Sequence, residues 1–472
     1  MGQEIHDVVF DAGAFAEFRR RLQVETNLLA AWEADGLLRE QPFRLGFELE
    51  GWLVDADGMP APRNQEFLAR LDDPQVVPEL ARFNFEINDT PLDFSPGMFD
   101  RMHSSLLARW QRCEDAARAL DMQALSIGIL PTVGGEHLQL GNISAMSRYL
   151  ALNEQIFRLR EGRPIELSID GVEPLRHRHQ DVMLESATTS LQIHLQVGSE
   201  HAVRAFNSAK IISAAMVAVG ANSPFFLQHR LWQETRIPLF EQAVAVGGSD
   251  YSRRVTFGIR YAHESIMECF TANLERYPVL LPDLVDAPPE QLAHLRLHNG
   301  TVWRWNRPLV GFDDAGRPHY RIEHRVVAAG TSALDVVADT AFFVGLMMAL
   351  MQDSDSEETR LPFESARANF YAAARSGLAA RVSWPGWGEG SLQRLLLDVL
   401  IPRSQQGLER IGIGRQEARQ WTGITARRVE SRQTGSAWQT AWVDHHGRDW
   451  GALVQAYTEQ QAAGRPVHEW RI

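Results

Sequence analysis

The pattern of hydrophobic and polar residues is clearest in four short segments, where apolar and polar side chains alternate. Residues two apart on a β-strand share a face, so each segment predicts a strand with one apolar and one polar face. The polar residues are carboxylates, amides, an imidazole and guanidinium groups. Burying a sheet face that carries these groups is unfavourable in free energy unless the face binds metal ions, phosphates or both. The segments are 44–50, 83–88, 191–196 and 320–325.

The rest of the chain mixes helical and strand patterns without a regular strand–helix–strand alternation. We therefore predict an α+β fold built on an antiparallel sheet rather than a doubly wound one. The predicted helices cover 12–35, 98–121, 143–161, 202–221, 224 to about 246, and 335–351, and the strands cover 43–55, 83–88, 124–131, 165–171, 189–198 and 320–328.

The character of the chain changes at Asp353, where a short acidic and serine-rich stretch begins. The residues beyond it are rich in arginine and have a helical pattern to the end. We predict a main domain over 1–352 and a helical C-terminal region over 353–472 packed on it.

Composition narrows the possible functions. The chain has 472 residues, 44% hydrophobic and 23% charged, as in soluble globular proteins. Its net charge of −13 argues against a nucleic-acid binder. Cys113 and Cys269 lack partners at metal-ligand spacing, which fits a reducing cytoplasm. The start of the chain lacks a signal-peptide pattern. The apolar runs at 211–226 and 340–351 fall short of a membrane span, and we predict that both are buried helices.

Lys210 is the single lysine in the sequence, and the other basic side chains are arginines. Genomic base composition explains this bias adequately. The sequence around Lys210 does not match a phosphate-binding loop, a pyridoxal Schiff-base site or a lysine carrier site. Any nucleotide must therefore be held by arginines, backbone groups and metal ions.

The strongest candidates for chemistry are Glu48 and Glu50, which share one face of a strand with apolar flanks. They are either ordinary solvent-facing glutamates or a pair that holds a cation between them. Oxygen ligands of this kind favour magnesium or manganese. Glu86 and Asn88 repeat the pattern on the second strand.

The third and fourth strands extend the polar face. Gln192, His194 and Gln196 project together from an apolar strand, which favours a site over a core histidine. Glu323 lies between Arg321 and Arg325, either as part of a salt-bridge ladder or as part of a phosphate site, because guanidinium groups bind phosphoryl oxygens in pairs.

Two further segments carry cationic groups. Arg236 lies on a predicted helix after Pro224. Residues 303–307 hold two tryptophans and two arginines, among them Arg304, and form either a surface cation–π cluster or a clamp for a base or carboxylate. Motifs typical of serine hydrolysis, dinucleotide binding and zinc proteolysis do not occur.

Together these motifs resemble the glutamate–cysteine ligase family, especially its carboxylate–amine ligase branch. The resemblance covers about residues 40–350 and depends on the order and spacing of five motifs. They are Gly-Phe-Glu-Leu-Glu at 46–50, Phe-Glu-Ile-Asn-Asp-Thr-Pro at 85–91, Thr-Ser-Leu-Gln-Ile-His at 189–194, Ala-Asn-Ser-Pro-Phe at 221–225 and Arg-Ile-Glu-His-Arg at 321–325.

The resemblance implies a glutamine-synthetase-like curved antiparallel sheet that forms an active-site funnel for ATP and magnesium ions, with manganese as an alternative metal. It implies that Arg325 contacts the transferred phosphate and that Arg236 holds a substrate carboxylate. Arg321, Arg304 and Gln192 are expected to bind the nucleotide, and Gln192 is a further metal candidate. The implied metal ligands are Glu48, Glu50, Glu86, His194 and Glu323.

These expectations describe an ATP-dependent ligase that joins an amino acid to an amine through an acyl phosphate. Small-molecule substrates, a cytoplasmic location and a possible homo-oligomer follow, with neither nucleic acid nor membrane as a partner. The alternatives are a metal-dependent phosphotransferase or hydrolase on the same fold, and a catalytically silent binding protein.

Overall fold

The computed structural model describes residues 4–5, 7–38, 43–247, 253–353 and 357–472. Its strands are β1 (Arg44–Val54), β2 (Val76–Pro78), β3 (Asn84–Asn88), β4 (Leu92–Asp93), β5 (Gln123–Leu125), β6 (Ile165–Asp170), β7 (Pro174–His179), β8 (Ser190–Val197), β9 (Phe225–Phe226), β10 (His229–Arg230), β11 (Asn306–Phe312), β12 (Pro318–Ala328), β13 (Arg381–Trp384) and β14 (Gly388–Ser391).

The helices surround these strands. They are α1 (Ala12–Ala34), α2 (Asn64–Leu71), α3 (Met98–Arg118), α4 (Ser147–Leu159), α5 (Ser199–Val219), α6 (Arg236–Ala243), α7 (Met267–Arg276), α8 (Ala293–Gly300), α9 (Ala333–Gln352), α10 (Phe363–Ser376), α11 (Leu392–Leu395), α12 (Ile401–Arg410), α13 (Arg415–Ser431), α14 (Gly435–His446) and α15 (Trp450–Ala462).

One curved antiparallel sheet organises the molecule. Within the described residues it has eight strands, six of them in the order β11–β12–β8–β1–β3–β2, while β4 and β5 also pair with β1. The alternation of apolar and polar residues in β1 separates them onto opposite faces of the sheet, as predicted. Leu45, Phe47 and Leu49 are buried on the apolar face, so Glu48 and Glu50 project from the other face.

Two apolar helices, α5 and α9, pack against each other, and α5 also packs on β12. They are 21 and 20 residues long, and by length and composition either could cross a membrane, which corrects the sequence interpretation that these segments are too short. Their most apolar stretches are 89% and 94% buried inside the protein. Both helices are therefore part of the core.

The C-terminal helices pack closely on this core. A Cβ atom at Gly407 of α12 would lie 1.9 Å from the carbonyl oxygen of Gly345 in α9, so this approach requires glycine. Arg428 of α13 forms buried ion pairs with Asp335 and Asp339 of α9. The division of the chain at residue 352 stays a prediction.

The main departure from the predicted elements lies at 224–246. The sequence predicts one helix there, but the structure has the β9–β10 hairpin followed by the short helix α6. Leu227 and Gln228 adopt positive φ angles at the turn, and these are incompatible with a continuous right-handed helix.

Two smaller departures concern other segments. The strand predicted at 124–131 is limited to β5, and Gly128 donates instead to the Asn222 carbonyl. The C-terminal region contains the β13–β14 hairpin besides its helices. The predicted linker from Asp353 falls partly outside the described residues.

Candidate active site

A cleft with a cavity volume of about 250 Å³ lies on the polar face of the sheet. Eight of the ten predicted site residues line it, although they come from four separate stretches of the sequence. These eight are Glu48, Glu50, Glu86, Gln192, His194, Arg321, Glu323 and Arg325.

Strand register explains the convergence. Glu323 of β12 pairs with His194 of β8, and Glu50 of β1 pairs with Glu86 of β3. Directly paired residues project to the same side of a sheet with their Cβ atoms about 4.5–5.5 Å apart. The register therefore assembles two rows of ligand-type side chains on neighbouring strands.

Glu48, His194 and Glu323 form the first group of ligand-type atoms. One atom from each lies within 4.8 Å of the others. The His194 Nε2 atom is 3.3 Å from Glu48 Oε1 and 3.9 Å from Glu323 Oε1. His194 is buried, and neither of its ring nitrogens makes a hydrogen bond to a described residue. A buried imidazole of this kind suits a cation site.

Glu50, Glu79 and Glu86 form the second group, again with ligand atoms within 4.8 Å. Burial, together with the Glu86 carboxylate, raises the pKa of Glu50 to about 7. Burial and the carboxylates of Glu48 and Glu79 raise the pKa of Glu86 well above its ordinary value. Burial and the mutual repulsion of the negative charges therefore both disfavour the ionised forms of these carboxyl groups, and a bound cation would offset both effects.

The two groups have donors that suit a hard divalent ion. Five carboxylates and one imidazole contribute them, and carboxylate oxygens are the preferred ligands of magnesium and manganese. The orphaned nitrogens of His194 and the mutually repelling acids are both relieved by bound cations. The residues present therefore fit the metal that the sequence resemblance implies.

Arginines balance the acids at one side of the cleft. Arg307 donates from Nε and Nη2 to the two carboxylate oxygens of Glu323, each at 2.8 Å, and Arg325 Nη1 lies 3.4 Å from the same carboxylate. Although burial alone would raise the pKa of Glu323, Arg307, Arg325 and His194 lower it to about 2. Glu323 thus remains ionised.

Gln192 connects the second acid group to the arginines. Its Nε2 donates to Glu50 Oε1 at 2.7 Å, and its Oε1 accepts from Arg325 Nη1 at 2.5 Å. The Ser190 backbone N–H donates to the other Glu50 oxygen at 2.7 Å. The Gln192 amide therefore fixes both the carboxylate and the guanidinium.

Two predicted site residues lie elsewhere. Arg236 does not line the cleft, since its guanidinium donates to the carbonyl oxygens of Arg325 and Val326 and to Glu234. Arg304 lines a different cavity, described below. Neither side chain lines this cleft, and the contacts of Arg236 with a substrate carboxylate and of Arg304 with the nucleotide stay predictions.

The sequence reasoning missed several residues of the cleft. Glu79 follows β2, which is too short to show an alternating pattern, and Glu185 lies in a 3₁₀ turn without any such pattern. Burial, with Glu79 and Glu50 nearby, raises the pKa of Glu185 to about 8. Arg307 lies in a segment already singled out for its arginines, and its register with Glu323 was the missing information. Further lining residues are Arg148, Tyr149, Arg296 and Trp303.

Comparison with known proteins agrees with this fold. A family model described as Glutamate-cysteine ligase family 2 (GCS2) matches residues 44–428. The chain therefore belongs to the glutamate-cysteine ligase family 2. A search of curated proteins found no match.

Among solved structures, the chain resembles the glutamate–cysteine ligase of Francisella tularensis in complex with AMP. The identity is 13%, the TM-score is 0.59, and the match covers 90% of this chain and 89% of that one. A bifunctional glutathione synthetase of Pasteurella multocida matches with 11% identity and a TM-score of 0.47, over 92% of this chain and 55% of that one. The ligase PafA in its complex with the ubiquitin-like protein Pup matches with 12% identity and a TM-score of 0.40, over 88% and 71%.

The family match and the first of these structures confirm the predicted family and the α+β fold with its curved antiparallel sheet. Family membership supports a ligase as the class of enzyme.

Proposed function

We propose that this protein is an ATP- and magnesium-dependent carboxylate–amine ligase that forms an amide of the γ-glutamyl type. The observation that carries the proposal is the pairing of two acid groups with Arg325 and Arg321 in one cleft. Family membership supports the same class of reaction.

The two acid groups would hold divalent cations. Glu48, His194 and Glu323 would bind one, and Glu50, Glu79 and Glu86 a second, with manganese as a possible substitute. Bound there, such ions supply the positive charge that neutralises the triphosphate and the charge developing during transfer.

The arginines of β12 would position the phosphoryl group. The Arg325 guanidinium is held by Gln192. Burial alone would lower its pKa, but the carboxylates of Glu323, Glu50 and Glu48 raise the pKa and keep the group charged. Arg321 lines the same cleft two residues away along β12, so both point to the polar face. Their planar donors match phosphoryl oxygens.

The reaction would run in two displacements. An oxygen of the substrate carboxylate attacks the γ-phosphorus of ATP, the bond to the bridging oxygen breaks, and ADP leaves. The amine nitrogen then attacks the acyl carbon of the acyl phosphate, phosphate leaves, and the nitrogen gives up a proton. The contribution of the protein is orientation and fixed charge around the transferred group.

The test is ADP release, screened across amino acids and amines in the presence of magnesium. We expect release that requires both an acid and an amine. Glu50→Gln and Glu323→Gln should each lower kcat by about 100-fold or more. Glu389→Gln, on the exposed β13–β14 hairpin, is the matched control and should leave kcat unchanged.

Two outcomes would replace the proposal. ADP release that does not require an amine would indicate a phosphotransferase or hydrolase on this fold. Calorimetry that detects no binding of magnesium–ATP would indicate a catalytically silent protein. Unchanged turnover in both glutamine variants would refute the assignment of the acids.

We also propose that the substrates are a small amino acid and a small amine. The cytoplasmic location and a homo-oligomer stay predictions from the sequence.

A further inference from the structure

A second cavity lies apart from the acidic cleft and contains Lys210, the single lysine of the sequence. Lys210 is on α5 and is 1% exposed. Its Nζ atom donates to the Phe257 carbonyl and lies 4.7 Å from the ring centroid of Phe206 and 5.1 Å from that of Phe257. Burial lowers the pKa of this ammonium to about 7, and the nearby Arg304 charge also lowers it.

Arg304 lines the same cavity and lacks an acidic partner among the described residues. It is 8% exposed, its Nη1 atom has no hydrogen-bond partner in the part of the chain that the structure describes, and its guanidinium carbon is 5.7 Å from the centroid of the Tyr277 ring. The hydroxyl of Tyr261, another buried lining residue, also has no hydrogen-bond partner within the described ranges. A buried guanidinium nitrogen without an acceptor is costly, so both donors are suited to a ligand.

The charge of this cavity is positive. Lys210, Arg260, Arg276 and Arg304 line it, and among the described lining residues Glu268 is the one acid. Glu268 is already paired with Arg260 at 2.5 Å and accepts from the backbone N–H groups of residues 263 and 264. Among the lining residues that the structure describes, Lys210 and Arg304 are therefore left without a carboxylate.

We propose that this cavity is a binding site for a small oxyanion, a phosphate or carboxylate group held by Lys210, Arg304 and the Tyr261 hydroxyl. An oxyanion accepts hydrogen bonds from all three donors and compensates the charge of Arg304 and of the protonated form of Lys210. The site is separate from the cleft in which we place ATP and metal.

The segment that carries Arg304, just before β11, also reaches the acidic cleft. Arg304 forms an isolated parallel β-bridge with Thr256, and the Trp305 backbone N–H donates to the Thr256 carbonyl at 3.1 Å. The Trp305 carbonyl in turn accepts from the backbone N–H of Arg325 at 3.0 Å, and Trp303 lines the cleft. An anion bound to Arg304 would therefore lie one residue from Trp303, which lines the cleft, and one residue from Trp305, which is hydrogen-bonded to Arg325.

Calorimetric titration of the metal-free full chain with inorganic phosphate, and separately with malonate, tests the site in the presence of EDTA. We expect the wild-type protein to bind one anion. Arg304→Gln and Lys210→Met should each weaken the affinity about 10- to 100-fold, because each removes a charge-assisted hydrogen bond. The tighter of the two probes identifies the preferred group.

Two control variants make the result specific. Arg381→Gln, on an exposed hairpin, should leave the affinity unchanged. Arg325→Gln should also leave it unchanged, whereas a loss in this variant alone would move the anion to the acidic cleft and overturn the proposal. Circular dichroism establishes that each variant is folded, and Arg304→Gln decides the question if Lys210→Met is not.

The proposal is overturned if neither probe binds, or if the Arg304 and Lys210 variants bind as the wild type does. The titration contains neither nucleotide nor metal and does not measure turnover. A negative result would therefore refute the anion site without bearing on the proposed ligase activity.

Discussion

The guanidinium of Arg307 donates two hydrogen bonds of 2.8 Å to the carboxylate of Glu323. The two residues face each other across β11 and β12, and their side chains are 9% and 2% exposed. This pair keeps an acid ionised in the cleft before any cation arrives. Glu323 can therefore serve as a metal ligand without first losing a proton.

Replacing Arg307 with glutamine should leave the negative charge of the buried Glu323 carboxylate without its paired guanidinium. Removing one partner of a buried pair costs about 3–5 kcal/mol, so we expect a comparable loss in the free energy of unfolding of the metal-free protein. Urea titration measures it. Magnesium should recover part of the loss in Arg307→Gln, and a variant as stable as the wild type contradicts this. The control Arg381→Gln removes a surface pair and should cost less than about 1 kcal/mol.

Gln192 should matter for orientation more than for stability. Gln192→Glu keeps the shape but places a second carboxylate beside Glu50, and it removes the donor to that group. We expect kcat for ADP release to fall about 10- to 100-fold, because the Arg325 guanidinium and Glu50 lose their common amide. Steady-state kinetics with saturating ATP measures it. A change confined to KM would show that Gln192 contributes to ground-state binding alone.

Arg428 should tie the C-terminal helices to the core. It pairs with Asp335 at 2.7 Å and with Asp339 at 2.5 Å, and all three side chains are buried. Arg428→Ala should lower the free energy of unfolding by about 3–5 kcal/mol, because two buried carboxylates lose their cation. Denaturant unfolding measures it. The exposed neighbour Arg427, changed to alanine, is the control, and equal stability of the two variants would contradict the prediction.

Lys210 should give the stability of the protein a pH dependence. Its pKa falls from 10.5 to about 7 on burial, so between these values the unfolded chain holds a proton that the folded chain lacks. The free energy of unfolding therefore rises with pH from about 7 to about 10.5 through this group. In Lys210→Met this contribution disappears. Melting curves at several pH values, in phosphate-free buffer, measure the difference, and parallel profiles would contradict the prediction.

The sequence by itself determined the elements that carry the site. Alternation of apolar and polar residues in β1, β3, β8 and β12 dictates which side chains share a face, because the geometry of a strand has period two. That is a local rule, and it located Glu48, Glu50, Glu86, Gln192, His194, Arg321, Glu323 and Arg325 without any knowledge of strand order.

Tertiary structure decided which of these side chains meet and which additional ones join them. Strand order and register set Glu323 opposite His194 and brought Arg307 to Glu323. Glu79 and Glu185 enter the cleft from segments with no periodic pattern. The same long-range packing directed Arg236 and Arg304 away from the cleft, because the sequence neighbours of a side chain do not determine which acceptors surround its guanidinium.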